Sequence, residues 1–295
     1  MVGAPSRRIA VKMLLQEKNR SERYSCGVIG ISRSTLRYKP KPKPDEERLR
    51  SAVKRLANEN RRYGYRRITA LLRRKWWVNE KRVHRIWKEE GLGINKKRPK
   101  RRQYGPKGEK VNKAEYPNHV WSYDFVEDRM KDGSRVRMLS VVDEYTREAL
   151  AIYVSPVIGS VEVRETLEIL MDRRGVPRHI RSDNGSEFIA GMIKDWLQHK
   201  GCKTIFIEPA SPWQNSYIES FNGTLRDECL NMNVFSTGDE AREVIENWRI
   251  EYNEFRPHSS LGYLTPKDFA VRYKGNLRAS PSGSPYTDPA ITPKL

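Results

Sequence analysis

The chain contains SDNGSEF at residues 182–188 and, further on, SPWQNSYIESFNGTLRDECL at residues 211–230. The first segment places Asp183 at the end of a predicted strand, and the second places Glu219 inside a predicted helix. A third carboxylate, Asp124, lies in the earlier run HVWSYDFVED. Carboxylate oxygens are the ligands that hard divalent cations prefer in proteins. Three acids that converge from two strands and a helix therefore predict a divalent-metal site.

A helix over the second segment would have two distinct faces, because an α-helix turns by about 100° per residue. The polar face would carry Asn215, Glu219, Asn222 and Arg226. The adjoining apolar face would carry Ile218, Phe221 and Leu225. Such a helix can pack on a sheet while it presents one carboxylate and one cation to the same cleft, where Arg226 could bind a phosphate.

Three acids that hold metal ions in this way indicate phosphodiester cleavage and transfer as the reaction. Two Mg²⁺ ions about 3.5–4 Å apart can activate the attacking oxygen and stabilise the leaving oxygen of an in-line displacement. Simpler explanations stay open for single residues, since an isolated acid is most often a solvated surface group and SDNG can be a turn that ends a strand. We interpret Asp143 as a structural hydrogen-bond acceptor and Glu187 as a charge at a helix N-terminus. Glu208, at the end of a predicted strand, is a rival metal ligand.

The hydrophobic pattern places these acids in an α/β fold. Three β-rich runs, HVWSYDFVE, SRVRMLSVVDEYTR and EALAIYVS, precede a helix at 160–174, the strand HIRSD, the helix SEFIAGMIKDWLQHKG, the strand KTIFIEP and a helix that begins near Asn215. This order is typical of a ribonuclease H-like core, which is a mixed five-stranded sheet with flanking helices. In that fold the first and fourth strands are adjacent, so Asp124 and Asp183 would be neighbours.

Small all-α segments of helix-turn-helix type are predicted before this core. Residues 1–38 are interpreted as two or three short helices with an apolar stripe of Ile9, Met13 and Leu14 and with caps at Ser21 and Ser32. A Lys/Pro linker follows at 39–44. A helix-turn-helix domain is predicted at 45–94, a basic linker at 95–118, the ribonuclease H-like core at 119–274 and a flexible tail at 275–295.

The third helix of the predicted helix-turn-helix begins after Asn79, a good N-cap, and ends at Gly91. Its exposed face would carry Lys81, Arg82 and Arg85.

The charge of the chain is concentrated in these N-terminal segments. The 295 residues carry a net charge of +20. Residues 1–118 hold 35 Lys and Arg against 11 Asp and Glu, a net of +24, whereas residues 119–295 hold 22 against 26, a net of −4. This asymmetry favours a nucleic-acid-binding region attached to a near-neutral globular domain. Three scattered cysteines, no membrane-length apolar run and no signal-peptide pattern predict a cytoplasmic protein.

These motifs together resemble one protein family. WSYDF, SDNGSEF, SPWQNSYIESFNGTLRDECLN and LGYLTP, in this order, resemble bacterial insertion-sequence transposases of the OrfB type, whose core is related to retroviral integrases. RRYGYRRITALLRR followed by VNEKRVHRIWKEEGL resembles the helix-turn-helix that precedes that core in the same family. The similarity covers nearly the whole chain.

The resemblance implies a DDE triad at Asp124, Asp183 and Glu219, with Arg226 as the basic residue seven positions after the glutamate. It implies transfer of a 3′-hydroxyl onto DNA without a covalent protein intermediate, with Mg²⁺ or Mn²⁺ as cofactor and two ions at the site. Asn184 and Asn222 match motif positions beside the triad, and Asn222 is expected, with Arg226, to bind DNA or its phosphates. The DNA-contacting residues expected from the basic region are Arg66, Arg67, Lys81, Arg82 and Arg85.

The implied partners are double-stranded DNA, as the terminal inverted repeats and the target, and further copies of the chain in a dimer or higher oligomer. Two departures from the family pattern bear on this. Ser216 stands where glycine is expected, and the heptad repeat of an upstream reading frame is missing, so a product of that frame is a possible partner. The paired His and Cys of retroviral zinc-binding domains are also missing.

Two other functions stay open on the sequence alone. The first is a DNA-binding regulator with an inert core, against which the intact triad argues. The second is a nuclease that only hydrolyses DNA, which would use the same acids.

Overall fold

The computed structural model describes residues 4–17, 20–39, 44–93, 113–182, 187–206 and 215–279. The chain divides into two compact units, Met1–Ala52 and Val53–Leu295. The predicted linkers at 39–44 and 95–118 and the predicted tail at 275–295 lie mostly outside the described residues. The predicted domain limits therefore stay predictions.

The first unit contains three short helices, α1 (Ala4–Glu17), α2 (Glu22–Ile29) and α3 (Arg33–Arg37). The caps predicted for α2 and α3 are confirmed, since the side chains of Ser21 and Ser32 accept hydrogen bonds from backbone N–H groups of their helices. The helix predicted from the spacing of Ile9, Met13 and Leu14 is present as α1, but Ile9 and Met13 do not lie on its buried side. Ile9 and Met13 are 61% and 51% exposed, whereas Val11 is buried and Leu14, close to it on the helix surface, is half-buried.

Three helices precede the sheet: α4 (Glu46–Glu59), α5 (Tyr65–Arg73) and α6 (Glu80–Glu89). Asn79 caps α6 by accepting from the backbone N–H of Lys81, and Gly91 after the helix has a φ of 63°. The buried residues of α5 and α6 are Ile68, Thr69, Leu71, Leu72, Val83, Ile86 and Trp87. The amphipathic pattern therefore produces the predicted helices.

Five strands form one mixed sheet: β1 (Val120–Arg129), β2 (Arg135–Asp143), β3 (Ala149–Ser155), β4 (His179–Ser182) and β5 (Lys203–Phe206). The strand order is β3-β2-β1-β4-β5. The first three strands pair antiparallel, and β4 pairs parallel with both β1 and β5. The predicted ribonuclease H-like core is confirmed, with its first and fourth strands adjacent.

Helices cover both faces of the sheet. They are α7 (Ser160–Arg174), α8 (Glu187–His199), α9 (Ser216–Glu228) and α10 (Gly238–Glu254), and a further helix, α11 (Pro266–Ala279), contacts α10. One buried cluster joins the sheet to α7 and α8 through Leu167, Ile193 and Leu197. The other joins it to α9 and α10 through Phe221 and Trp248. Among the described residues, no helix combines the length and apolar character that a membrane span requires.

Candidate active site

Asp124 lies in the middle of β1, on the sheet face that α9 covers. Side chains alternate along a strand, so Ser122, Asp124 and Val126 share one face, and Val126 belongs to the cluster packed against α9. Asp124 is half-buried. Its Oδ2 accepts a hydrogen bond from Asn222 Nδ2 at 2.9 Å, and its Oδ1 accepts from the backbone N–H of Phe125 at 2.8 Å. Asn222 of α9 therefore helps to hold the Asp124 carboxylate in place.

The helix α9 has the two faces that its sequence predicts. Ile218, Phe221 and Leu225 are buried in the core. The polar face lies along β1, because Asn222 contacts Asp124 and Arg226 Nη2 donates to the backbone oxygen of Glu127 at 2.7 Å. Glu219 is exposed and precedes Asn222 by three residues, so it lies on the same side of the helix one turn earlier.

The third predicted acid follows β4 in the chain. β4 pairs with β1 in a register that places Arg181 beside Ser122, and the strand ends at Ser182. Asp183, Asn184 and Glu208 lie outside the described residues, as does the side chain of Glu187. Among the described residues, no group of three His, Cys, Asp or Glu side chains could hold a metal ion.

A buried ion pair that the sequence does not predict lies beside Asp124. Arg181 Nε is 2.9 Å from Glu144 Oε1, and the two side chains are 4% and 0% exposed. The hydroxyl of Ser122 donates a short hydrogen bond to the same carboxylate oxygen. Burial raises the pKa of Glu144, whereas the bond from Ser122 and the charge of Arg181 oppose that shift. One cluster therefore joins β1, β4 and the turn after β2.

The predicted structural role of Asp143 is confirmed. Its carboxylate is buried and accepts from the backbone N–H groups of Asn118, Tyr145 and Thr146. Burial nevertheless raises the pKa of Asp143 above its ordinary value. These bonds fix the turn that follows β2.

Several buried oxygens near the site have no hydrogen-bond partner within the described part of the chain. They are Asn215 Oδ1, Asn222 Oδ1, Ser140 Oγ and Glu144 Oε2. Ser140 lies directly opposite Asp124 in the register of β1 and β2. Because divalent cations such as Mg²⁺ take oxygen ligands and retain water, unsatisfied acceptors around a carboxylate fit a hydrated cation. The donor set therefore suits the predicted metal.

The residues predicted to bind DNA fall into two groups. Lys81 and Arg85 are exposed on α6, Arg82 is half-buried there, and Arg66 is exposed at the start of α5. Their surface is partly neutralised, since Arg66 and Arg85 lie 3.5 and 3.6 Å from Glu80 and Glu89. Arg67 differs, because its guanidinium lies 2.8 Å from Glu228 at the end of α9. Arg67 therefore has an acidic partner within the folded protein.

Comparison with known proteins places this architecture in a family. Residues 114–212 and 200–266 match two family models described as integrase core domain, and residues 44–102 match an HTH-like domain. The uncharacterized 31.7 kDa protein of insertion element IS407 from Burkholderia multivorans is 42% identical over 267 residues, which cover 90% of this chain and 96% of that protein. The chain belongs to the insertion-sequence transposases. It is accordingly an enzyme of the integrase and transposase type, a polynucleotidyl transferase.

Other relatives of this transposase come from distant bacteria. The uncharacterized 39.2 kDa protein of insertion element IS476 from Xanthomonas euvesicatoria is 41% identical over 92% of this chain and 79% of its own length. The transposase for insertion sequence element IS904 from Lactococcus lactis is 29% identical over 78% of this chain and 96% of its own length.

Similar solved structures include viral integrases. The HTLV-2 integrase catalytic core domain in complex with magnesium is 18% identical, with a TM-score of 0.43, and the match covers 52% of this chain and 97% of that one. A simian T-cell lymphotropic virus intasome in complex with PP2A regulatory subunit B56 gamma is 16% identical, with a TM-score of 0.49, over 82% of this chain and 78% of that one.

Proposed function

We propose that this transposase cleaves the ends of its insertion sequence and transfers a 3′-hydroxyl into DNA, with Asp124, Asp183 and Glu219 as the catalytic acids. The hydrogen bond from Asn222 to Asp124 carries this proposal. It holds the polar face of α9 against β1, so the helix that bears Glu219 crosses the strand that bears Asp124. Acids from elements far apart in sequence thereby share one side of the sheet.

The register of β1 and β4 supports Asp183 as the third acid. Ser122 and Arg181 are paired neighbours in these parallel strands. Asp124 and Asp183 each follow two residues later in the sequence, and residues two apart in a strand share a face. A continued register would therefore bring the two aspartates side by side on the face that α9 covers.

The three acids would hold Mg²⁺ or Mn²⁺, as two ions. Such ions, when bound, would stabilise the negative charge on the attacking and leaving oxygens of a phosphodiester during in-line displacement. Asn222 would orient the Asp124 carboxylate through its amide. Arg226 is exposed and donates one N–H to the backbone oxygen of Glu127, and the other N–H groups of its guanidinium would bind a phosphate of the DNA strand.

The DNA would be double-stranded and would include the terminal inverted repeats and the target. Its repeat would contact α6 through Lys81, Arg82 and Arg85, with Arg66 beside them. Two element ends must be joined in one reaction, so we propose a dimer or higher oligomer on DNA, with the product of an upstream reading frame as a further partner. The reaction would take place on nucleoid DNA in the bacterial cytoplasm.

The test is the substitution Asp183→Asn, which keeps the size of the side chain and removes its charge. We expect Mg²⁺-dependent cleavage of a repeat-bearing duplex to fall by more than about 100-fold, since even outer-shell partners of a metal are worth 10- to 100-fold. Binding of the same duplex, measured by gel shift, should be unchanged. The matched control is Asp195→Asn, because Asp195 is exposed on α8, which packs on the sheet face opposite to α9. Cleavage that survives Asp183→Asn would remove this residue from the site.

A further inference from the structure

The C-terminal end of α9 is held by a buried cluster of charges. The last residue of the helix, Glu228, has a side chain that is only 8% exposed. Arg256 donates two hydrogen bonds to the Glu228 carboxylate, from Nε to Oε2 at 2.7 Å and from Nη2 to Oε1 at 2.8 Å. Arg67 of α5 donates from Nη1 to the same Oε1 atom at 2.8 Å. One carboxylate thus joins α9, the segment after α10 and the helix-turn-helix.

Two further contacts reinforce this junction. The neighbouring Asp227 pairs with Arg62, in the turn before α5. Arg74, at the end of α5, donates from Nη2 to the backbone oxygen of Phe255 at 2.8 Å. All of these residues belong to the compact unit Val53–Leu295. Both ends of α5 are therefore attached to the part of the chain that contains the sheet.

A carboxylate at this position needs an explanation, because the C-terminal end of a helix carries partial negative charge and disfavours an acid. Burial disfavours it further, and a buried ion pair is often no more stable than an apolar replacement of the same volume. Two arginines offset the cost here. What the arrangement provides is a fixed geometry, since three planar charged groups in hydrogen-bond contact tolerate little displacement.

The junction also divides the motif RRYGYRR at 61–67 into two parts. Arg62 and Arg67 point into the fold and bind the acids of α9, whereas Arg66 is exposed beside Glu80. The sequence alone assigns Arg66 and Arg67 to DNA together. The structure gives them different partners.

We propose that Glu228, with Arg67 and Arg256, is a positioning residue that fixes the helix-turn-helix to the catalytic helix, so that the repeat bound by α6 determines which phosphodiester reaches Asp124 and Glu219. Glu219 lies nine residues before Glu228 in the same helix, about 14 Å along its axis. A rigid attachment at one end of α9 therefore sets the distance between the bound repeat and the site. This inference rests on the proposed function.

The experiment maps the cleaved bond on an end-labelled duplex that carries the terminal inverted repeat of the element. The native transposase should cut at one phosphodiester. Glu228→Gln should leave repeat binding unchanged, spread the cuts over neighbouring phosphodiesters and reduce the rate by up to about 100-fold, since a displacement of about 1 Å can have that effect. A merely structural role for Glu228 would lower the rate and leave the cut at a single bond, and that result overturns the proposal.

A charge exchange covers the case in which Glu228→Gln fails to fold. Asp227 and Arg62 are 40% and 32% exposed, so their replacement is tolerated more easily. Asp227→Arg and Arg62→Asp should each spread the cuts, and the double variant should restore the single position. Spread cuts that the double variant does not restore, or single cuts in all three variants, contradict the proposal.

Two controls separate the possible failures. Glu148→Gln removes a charge of similar burial that binds Arg174 at 3.0 Å through both oxygens, away from the junction, and should keep the single cut. Asp124→Asn should abolish cutting. If Asp124→Asn cuts like the native chain, the proposed function fails. If Asp124→Asn is inactive and Glu228→Gln cuts at one bond, only the positioning role fails.

Discussion

His258 is a buried histidine whose protonation would disturb the packing behind α9. Its ring lies edge-on to Tyr252 with centroids 4.6 Å apart, beside the guanidinium of Arg256. Burial, and then the charge of Arg256, lower the pKa of His258 to about 3. The ring is therefore neutral in the folded protein over most of the acidic range. His258 thus contributes to the pH dependence of the stability of the fold.

Whether a fall in pH stabilises or destabilises the fold follows from the pKa of His258 in the unfolded and in the folded chain. In the unfolded chain the histidine binds a proton below its ordinary pKa of about 6.5, whereas in the folded chain it does so only near 3. The contribution of His258 to stability is present above about pH 6.5 and is lost as the pH falls towards 3, on the order of 5 kcal/mol in all. Urea denaturation at pH 7 and pH 5 should show a larger loss for the native chain than for His258→Gln. Equal losses would contradict the lowered pKa.

Among the elements, β4 shows most clearly how a short strand is held. It has four residues, and its pairing with β1 is supported by the buried bridge from Arg181 to Glu144 and Ser122. Glu144 follows β2 directly, so the bridge ties the end of β4 to the far side of β1. The proposed catalytic Asp183 comes two residues after Arg181 in the sequence. The position of the end of β4 therefore affects the position of the proposed catalytic acid that follows it.

Glu144→Gln should destabilise the fold by about 3–5 kcal/mol, because it removes the charge of one partner from a buried ion pair. Urea denaturation measures the change. The matched control is Glu168→Gln, which removes the partner of Lys200 in a pair with both side chains nearly 40% exposed and should cost less than about 1 kcal/mol. Similar losses in both variants would show that the buried bridge is not a stabilising contact of β4.

The elements also show what the sequence can and cannot predict. The helix α9, its two faces and the adjacency of β1 and β4 follow from local periodicity and from the order of strands and helices. The bridge between Glu144 and Arg181 joins residues 37 positions apart, from the turn after β2 and from β4, and no local pattern encodes it. Arg67 looks like its exposed neighbour Arg66 in the sequence, and only its partner Glu228, 161 residues away, distinguishes it. Val11 is buried instead of Ile9 because burial depends on which side of α1 is covered.

At the scale of the whole molecule, the excess positive charge and the candidate catalytic acids lie in different parts of the chain. The net charge of +24 lies in residues 1–118, and the candidate acids lie in the near-neutral remainder. The basic part can bind phosphates without sequence preference, with an affinity that falls as salt rises. The acids can concentrate cations only where the sheet and α9 bring them together. The contacts of Arg62 and Arg67 with α9 join the HTH-like segment to the helix that carries the proposed catalytic Glu219.

Strand transfer is the reaction that distinguishes a transposase from a nuclease with the same acids. The measurement incubates the purified chain with a labelled repeat duplex that ends in a 3′-hydroxyl, a supercoiled target plasmid and Mg²⁺, and then sequences the joined molecules. We expect products in which the 3′-end of the repeat is covalently joined to the plasmid, and we expect Asp124→Asn to abolish them while it still binds the repeat. Nicked plasmid without joined ends, or joined ends that persist in Asp124→Asn, would contradict strand transfer by this site.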